Sequence, residues 1–267
     1  MDIEIDLNKP IYEQISEFFE KLRKLKEKRE RLIKRIEELK KKLEEVKKEG
    51  QKRKEIKKEK KEWYENFRWF ITSDGFLVVA GKDALTNEIL IKKYMEDKDI
   101  VLHADIVGSP FGLIKTKGKE VSESTIKEAA KFVASYSRAW REGLYAMEVY
   151  WVYPNQVSKK APSGEYLPKG AFMIYGKKNY LTVNLEVAIG VDSEGNIIHG
   201  VPESLDKYAK RYVVLIPGNK KADFLVKKIS NFLGVKDKES LEEIKRWIPY
   251  GVGEIKDFRL GKVVTRQ

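Results

Sequence analysis

Residues 151–181 read WVYPNQVSKKAPSGEYLPKGAFMIYGKKNYL, and this stretch decides what the chain around it must be. It combines five lysines, three prolines and three glycines with aromatic residues, and Glu165 is its single acid. Tyr153-Pro154-Asn155, Ala161-Pro162-Ser163-Gly164 and Leu167-Pro168-Lys169-Gly170 are turn signals, because proline fixes φ and glycine accepts the left-handed region. The apolar runs on either side read as strands. Lysines and aromatics carried on rigid turns suit a surface that meets phosphates and stacks on bases. A lysine-decorated loop between two strands fits the same residues.

Outward from this stretch, short apolar runs alternate with helical patterns, which predicts an α+β fold: a mixed β-sheet with flanking helices. Residues 63–71 and 76–80 form a hairpin around Ser73-Asp74-Gly75. Asp83 caps a helix through Tyr94 with Ile89, Leu90 and Tyr94 inward. Strands are expected at 99–105, 111–115, 144–153, 172–175 and 180–191. Ser122 and Ser124 cap a helix running to Trp140. The remainder reads as a helix at 203–208, a strand at 212–216, a turn at Pro217-Gly218-Asn219, and helices at 221–233 and 240–248.

The N-terminal third differs. Residues 2–8 alternate as a short strand, and Pro10 opens a long helix. Ile15, Phe18, Leu22, Leu25, Leu32, Ile36, Leu39, Leu43 and Val46 step by threes and fours, broken only at Arg29, which is a coiled-coil seam. Such a seam requires a partner helix, from a second chain (a homodimer included) or from a segment not in this sequence. Gly50 interrupts the register, and 47–61 reads as an exposed basic helix or linker. The expected divisions are 1–62, a coiled-coil arm with its basic linker; 63–200, the binding core; and 201–267, an α/β extension packed on it.

Among 267 residues, 54 Lys and Arg against 42 Asp and Glu leave +12. Half of that excess, 22 bases against 16 acids, lies in residues 1–62, so the charge is not merely an effect of the arm. The balance points to a polyanionic partner, nucleic acid before acidic lipid. The absence of cysteine excludes disulfides and thiolate metal sites and fits a cytoplasmic setting. No apolar run approaches the ~18–20 residues of a membrane span.

The run Val157-Ser158-Lys159-Lys160-Ala161-Pro162-Ser163-Gly164-Glu165-Tyr166-Leu167, followed by Gly170-Ala171-Phe172-Met173-Ile174 and Gly176-Lys177-Lys178-Asn179, resembles the NFACT-R domain, the RNA-binding module of the NFACT family (NEMF, RqcH and fibronectin-binding-protein-A-like proteins). Glu65-Asn66-Phe67-Arg68-Trp69-Phe70-Ile71, Gly81, Asp83, Asn87-Glu88, Lys92-Lys93-Tyr94, His103-Ala104-Asp105 and Ala139-Trp140 resemble further family blocks. Val107 stands where many members carry a second histidine, and Lys82 where an arginine is common. The resemblance implies a module of ribosome-associated quality control, acting on stalled large ribosomal subunits that carry peptidyl-tRNA. It implies tRNA and large-subunit rRNA as partners, with no cofactor and no enzymatic step.

The residues expected to meet RNA are Arg68, Lys92, Lys93, His103, Lys115, Lys159, Lys160, Tyr166, Lys169, Lys177, Lys178 and Asn179. Tyr153 and Tyr180 are further stacking candidates. One rival reading is a coiled-coil adaptor that makes no RNA contact. The other is a small hydrolase or nuclease using His103 and Asp105, which share a strand face; in the bland alternative, Asp105 simply satisfies the His103 ring.

Overall fold

The computed structural model describes residues 10–56, 62–160 and 167–262. The strand expected at 2–8, the end of the basic run at 57–61, Glu165 and Tyr166 lie outside the described residues. The chain divides into two compact units, 1–62 and 63–267.

The first unit is helix α1, Ile11–Ile56. It runs through Gly50, because one glycine costs only about 1 kcal/mol relative to alanine and does not end a long helix. Leu22, Leu25, Leu32 and Leu39 along the heptad seam remain about half exposed.

The second unit is α+β, built on two antiparallel sheets. The larger sheet takes β1 (Arg68–Ile71), β2 (Leu77–Ala80), β3 (Ile100–Ala104), β4 (Phe111–Lys115), β5 (Ala146–Val152) and β8 (Asn179–Asn184) in the order β1-β2-β4-β3-β5-β8. Between β5 and β8, β6 (Val157–Ser158) and β7 (Met173–Ile174) pair as a separate two-stranded hairpin. The smaller sheet runs β10-β9-β11-β12, from β9 (Val187–Val191), β10 (Ile197–Gly200), β11 (Arg211–Lys221) and β12 (Val252–Leu260). Two of its strands thus precede residue 201 and two follow it. Helices α2 (Ala84–Ile89), α3 (Glu123–Ser135), α4 (Arg138–Arg141), α5 (Pro202–Tyr208), α6 (Ala222–Leu233) and α7 (Lys238–Arg246) flank the sheets. Among the described residues no helix is long and apolar enough to cross a membrane.

The larger sheet is buried on both faces, which is why all five residues of β4 are buried. Strand side chains alternate, so Leu102, Ile114 and Val149 join α3 in the main core, while Val101, Leu113 and Val152 face the opposite cluster with Leu90 and Ile91. α3 approaches closely because its inner face is rich in alanine; a Cβ on Gly112 would lie 2.4 Å from Val133. The aromatic run at 63–70 is largely structural. Trp63 stacks on Tyr94 at 4.2 Å, and Phe67 and Phe70 are buried.

Four local expectations are corrected. α2 gives way to a wider π-type turn at Leu90–Tyr94, and the extra residue rotates Leu90 and Ile91 inward while Ile89 stays exposed. α3 stops at Ser135, since Ser137 caps the separate α4. The apolar run at 180–191 is two strands in different sheets. Pro217-Gly218-Asn219 is not a strand-to-helix turn but a register break inside β11, which resumes pairing at Lys220↔Gly253. A proline lacks the N–H a regular ladder needs, so it sits at the irregularity.

His199 Nε2 lies 2.6 Å from the Trp69 carbonyl, and the ring stacks on Trp247. Burial pushes its pKa down to about 3, and that of His103 down to about 4. An unfolded histidine takes up its proton near pH 6.5, so folding stability is fully present above that pH and declines as pH falls toward the folded values. By pH 5 the His199 share is about 2 kcal/mol. Urea titrations at pH 7 and pH 5 should therefore show a loss that shrinks by that amount in His199→Phe; a loss of equal size in wild type and variant would contradict the assignment.

Candidate nucleic-acid interface

Strand β3 presents His103 on the α2 side of the sheet, opposite Phe111 of β4 and Tyr150 of β5. The rings lie 4.5 Å and 5.7 Å apart. The N-terminus of α2 and residues 169–172 close over them, leaving an open cavity of about 500 Å³. Arg68, Lys82 and Lys169 supply cations to its lining, and Asp83 is the one acid among the lining residues.

Glu88 holds the closing segment in place. Its carboxylate accepts the Gly170 N–H at 3.0 Å, pairs with Lys92 at 2.6 Å and lies 3.6 Å from Lys159. The Lys92 and Gly170 hydrogen bonds push its pKa down to about 2, with Lys159 adding to the effect. Lys159 Nζ also donates to the Pro168 and Ala171 carbonyls, both at 3.0 Å, and lies 5.0 Å from the Phe172 ring centre. Gln156 staples the β6–β7 hairpin by accepting the Tyr153 N–H and donating to the Tyr175 and Lys177 carbonyls.

The cations expected to meet RNA therefore divide. Lys115 is corrected to a structural role: it is buried, 2.6 Å from both Asp99 and the Tyr94 carbonyl, since a buried ammonium needs such partners. Lys92 and Lys159 are committed to Glu88 and the closing segment. Lys93 lies over Tyr94 at 5.2 Å, and Asn179 donates to the Trp151 carbonyl at 3.4 Å within β5–β8. Lys160, Lys169 and Lys177 are exposed. Lys178 is half-buried over the Tyr150 ring at 4.3 Å.

Arg68 and His103 do line the cavity. The Arg68 guanidinium donates to the Gly81 carbonyl at 3.1 Å and covers the Tyr136 ring at 4.7 Å. Burial holds its pKa below the usual value, with Tyr136, Tyr250 and Asp83 opposing. Burial likewise lowers Lys82, and Arg246 and Arg68 add like-charge repulsion. This is a site where positive charge is concentrated rather than neutralised. His103 and Asp105 share no hydrogen bond, so neither the base-and-orienter geometry nor the simple satisfied pair is present. Among the described residues no group of three or more His, Asp or Glu is arranged to hold a metal.

Three contributors escaped the sequence reading. Lys82 carried no signal beyond its departure from a common arginine. Arg246 comes from α7, distant in sequence, and donates to the Glu65 carbonyl at 2.8 Å. Tyr250 lines the cavity at φ 53, a conformation bulky residues rarely adopt. Its Pro249-Tyr250-Gly251 context was a legible turn signal.

Gly170 has φ 78, and an added Cβ would lie 2.5 Å from the Ala84 carbonyl. Gly143 has a similar φ of 76 with nothing within 4 Å. Gly143→Ala should cost about 1 kcal/mol of strain, and Gly170→Ala about 1–3 kcal/mol more. Denaturant titration of both variants checks this, and equal costs would mean that the closing segment is not seated on α2.

Residues 66–176 match the family model for the NFACT protein RNA binding domain. The archaeal protein aRqcH of Methanocaldococcus jannaschii is 48% identical over 207 residues, 75% of this chain and 30% of its own length. The ribosome quality control complex subunit NEMF of Homo sapiens is 44% identical over 126 residues, and its Drosophila melanogaster homologue 46% over 127; each match spans 47% of this chain, and 12% and 13% of those proteins. The C-terminal part of the fibronectin/fibrinogen-binding protein of Streptococcus suis overlaps 47% of this chain and 48% of that one, at 21% identity and a TM-score of 0.39, a likeness too slight to bear on the site. The chain thus spans under a third of the archaeal and animal proteins it matches, and across that span it belongs to the NFACT family, in the region that carries the RNA-binding domain.

Proposed function

We propose that residues 63–262 form an RNA-binding unit that contacts tRNA or large-subunit rRNA, within a factor acting on stalled large ribosomal subunits that carry peptidyl-tRNA. The observation that carries this reading is the concentration of Arg68, Lys82 and Arg246 beside an aromatic-lined cavity, where burial, with repulsion from Arg246 and Arg68 added, depresses Lys82 and Asp83 is the one lining acid. Cations that outnumber the carboxylates beside them are an unfavourable surface until a polyanion covers them. The match to an RNA-binding domain family and the relatives' names as ribosome quality control proteins support the same partner class. The protein's part is to bind and position RNA, with the exposed Lys160, Lys169 and Lys177 extending the contact.

A second reading has its own support in the half-exposed leucine seam of α1. In that reading the helix pairs with another helix, from a second copy or from a segment outside this sequence, and the lysines merely solvate it. The two readings are compatible, since one concerns each unit.

Binding of tRNA and of large-subunit rRNA fragments, titrated against salt, tests the first reading. Lys160/Lys169/Lys177→Ala should weaken binding and make the plot of log affinity against log salt shallower by about 2. A control lacking three exposed lysines of α1, Lys26, Lys34 and Lys40, should change little. Equal losses in both variants, or no binding at low salt, would contradict it.

A further inference from the structure

The cavity has properties that gripping an RNA backbone does not require. A chain of phosphates crosses a flat basic surface without a hole in it. Here the surface opens into about 500 Å³, within the ~300–1,000 Å³ of sites that take one small ligand. Its walls are ring faces and edges: Phe172 stands edge-on to Phe111 at 5.3 Å, and Tyr150 stands edge-on to Tyr180 at 5.8 Å.

His103 carries the argument further. Its Nδ1 is buried with no hydrogen-bond partner among the described residues. The Ala104 and Ser109 backbones come near enough to favour its protonated form, as carbonyl acceptors do, but neither meets hydrogen-bond geometry. Buried polar atoms are normally paired, so an orphan at a cavity wall calls for a ligand. The same ring lines the cavity, where a ligand edge can accept from it or donate to it.

The charges are placed to match. Arg68 spends one of its five N–H donors on Gly81, leaving others for an anion beside Tyr136. Asp83 stays ionised as the cap of α2, accepting the Thr86 N–H at 2.8 Å, so the lining carries three cations, Arg68, Lys82 and Lys169, against this one carboxylate. Tyr250, strained at φ 53, completes the same wall.

From this geometry we infer that the cavity takes a single nucleotide flipped out of an RNA loop, bulge or end. Its base enters among Phe111, Tyr150 and Phe172 with one edge on His103, and its phosphate lies at Arg68 and Lys82. Unpaired, splayed bases read on aromatic faces are how single-stranded RNA is commonly recognised. The inference rests on the RNA-binding reading and assigns it a base-specific subsite.

The test is anisotropy titration of the full chain with two labelled RNA hairpins, alike except that one carries a single unpaired adenosine bulge and the other an abasic residue there. Wild type should prefer the base-bearing hairpin by about tenfold or more. His103→Leu, and independently Val107→Trp, should bring that preference to within about twofold, read as the ratio of the two hairpins' affinities for each variant. Val107 lines the cavity at 83% exposure, so tryptophan there fills the mouth without disturbing the core, and it decides the question if His103→Leu fails to fold. Equal wild-type affinity for both hairpins, or a preference that survives Val107→Trp, overturns the subsite while leaving RNA binding intact. Binding of neither hairpin overturns the RNA-binding reading and the subsite with it.

Discussion

One carboxylate organises the candidate interface. Glu88, on the exposed flank of α2, accepts the Gly170 amide and draws in Lys92 and Lys159. Without it the segment carrying Gly170 would keep only its apolar packing, Phe172 on Phe111 and the cluster around it, on the larger sheet's α2 side. The anchor can be this close because Gly170 has no Cβ, and the Ala84 carbonyl occupies the space one would need. The cavity over His103 exists because Glu88 and Gly170 bring residues 169–172 to α2.

The same contact explains how the lysines divide. A lysine close to Glu88 or Asp99 gains an ion-pair partner at 2.6–3.6 Å and becomes part of the scaffold. Lysines beyond that reach stay solvated and remain available to an outside anion. Lys159 and Lys160 are neighbours in the chain yet fall on opposite sides of this division: one is folded under the segment, the other exposed on it. Arg68 is intermediate, buried enough to lose hydration but hydrogen-bonded through a single donor. It follows that binding strength depends on which charges lack partners more than on how many lysines the segment contains.

Much of the fold was legible in the sequence because its signals are local. The Ser73-Asp74-Gly75 turn, the Asp83 cap and the Ser122 cap lie where the residues put them. The misses arose where tertiary contacts override local pattern. The apolar continuity of 180–191 conceals a change of sheet, and the Pro217-Gly218-Asn219 signal is overridden because β12, unforeseen in the sequence, pairs on both sides of it. For the site, the lysine-rich stretch marked the right region. Its reading could not separate Lys159 from Lys160, since the difference lies in Glu88, some 70 residues away. Arg246 could not be foreseen for the same reason, and Pro249-Tyr250-Gly251, though legible as a turn, brings Tyr250 to the cavity only through the fold.

The central claim is that RNA is met at the cavity rim of the second unit rather than along the basic face of α1. Ultraviolet crosslinking of the full chain to tRNA and to large-subunit rRNA fragments, with the crosslinked peptides mapped by mass spectrometry, tests it most directly. The account predicts crosslinks at Lys169, Phe172, Tyr150 and Tyr250, competed away by unlabelled RNA. Crosslinks confined to α1, with the cavity residues unmodified, would contradict it.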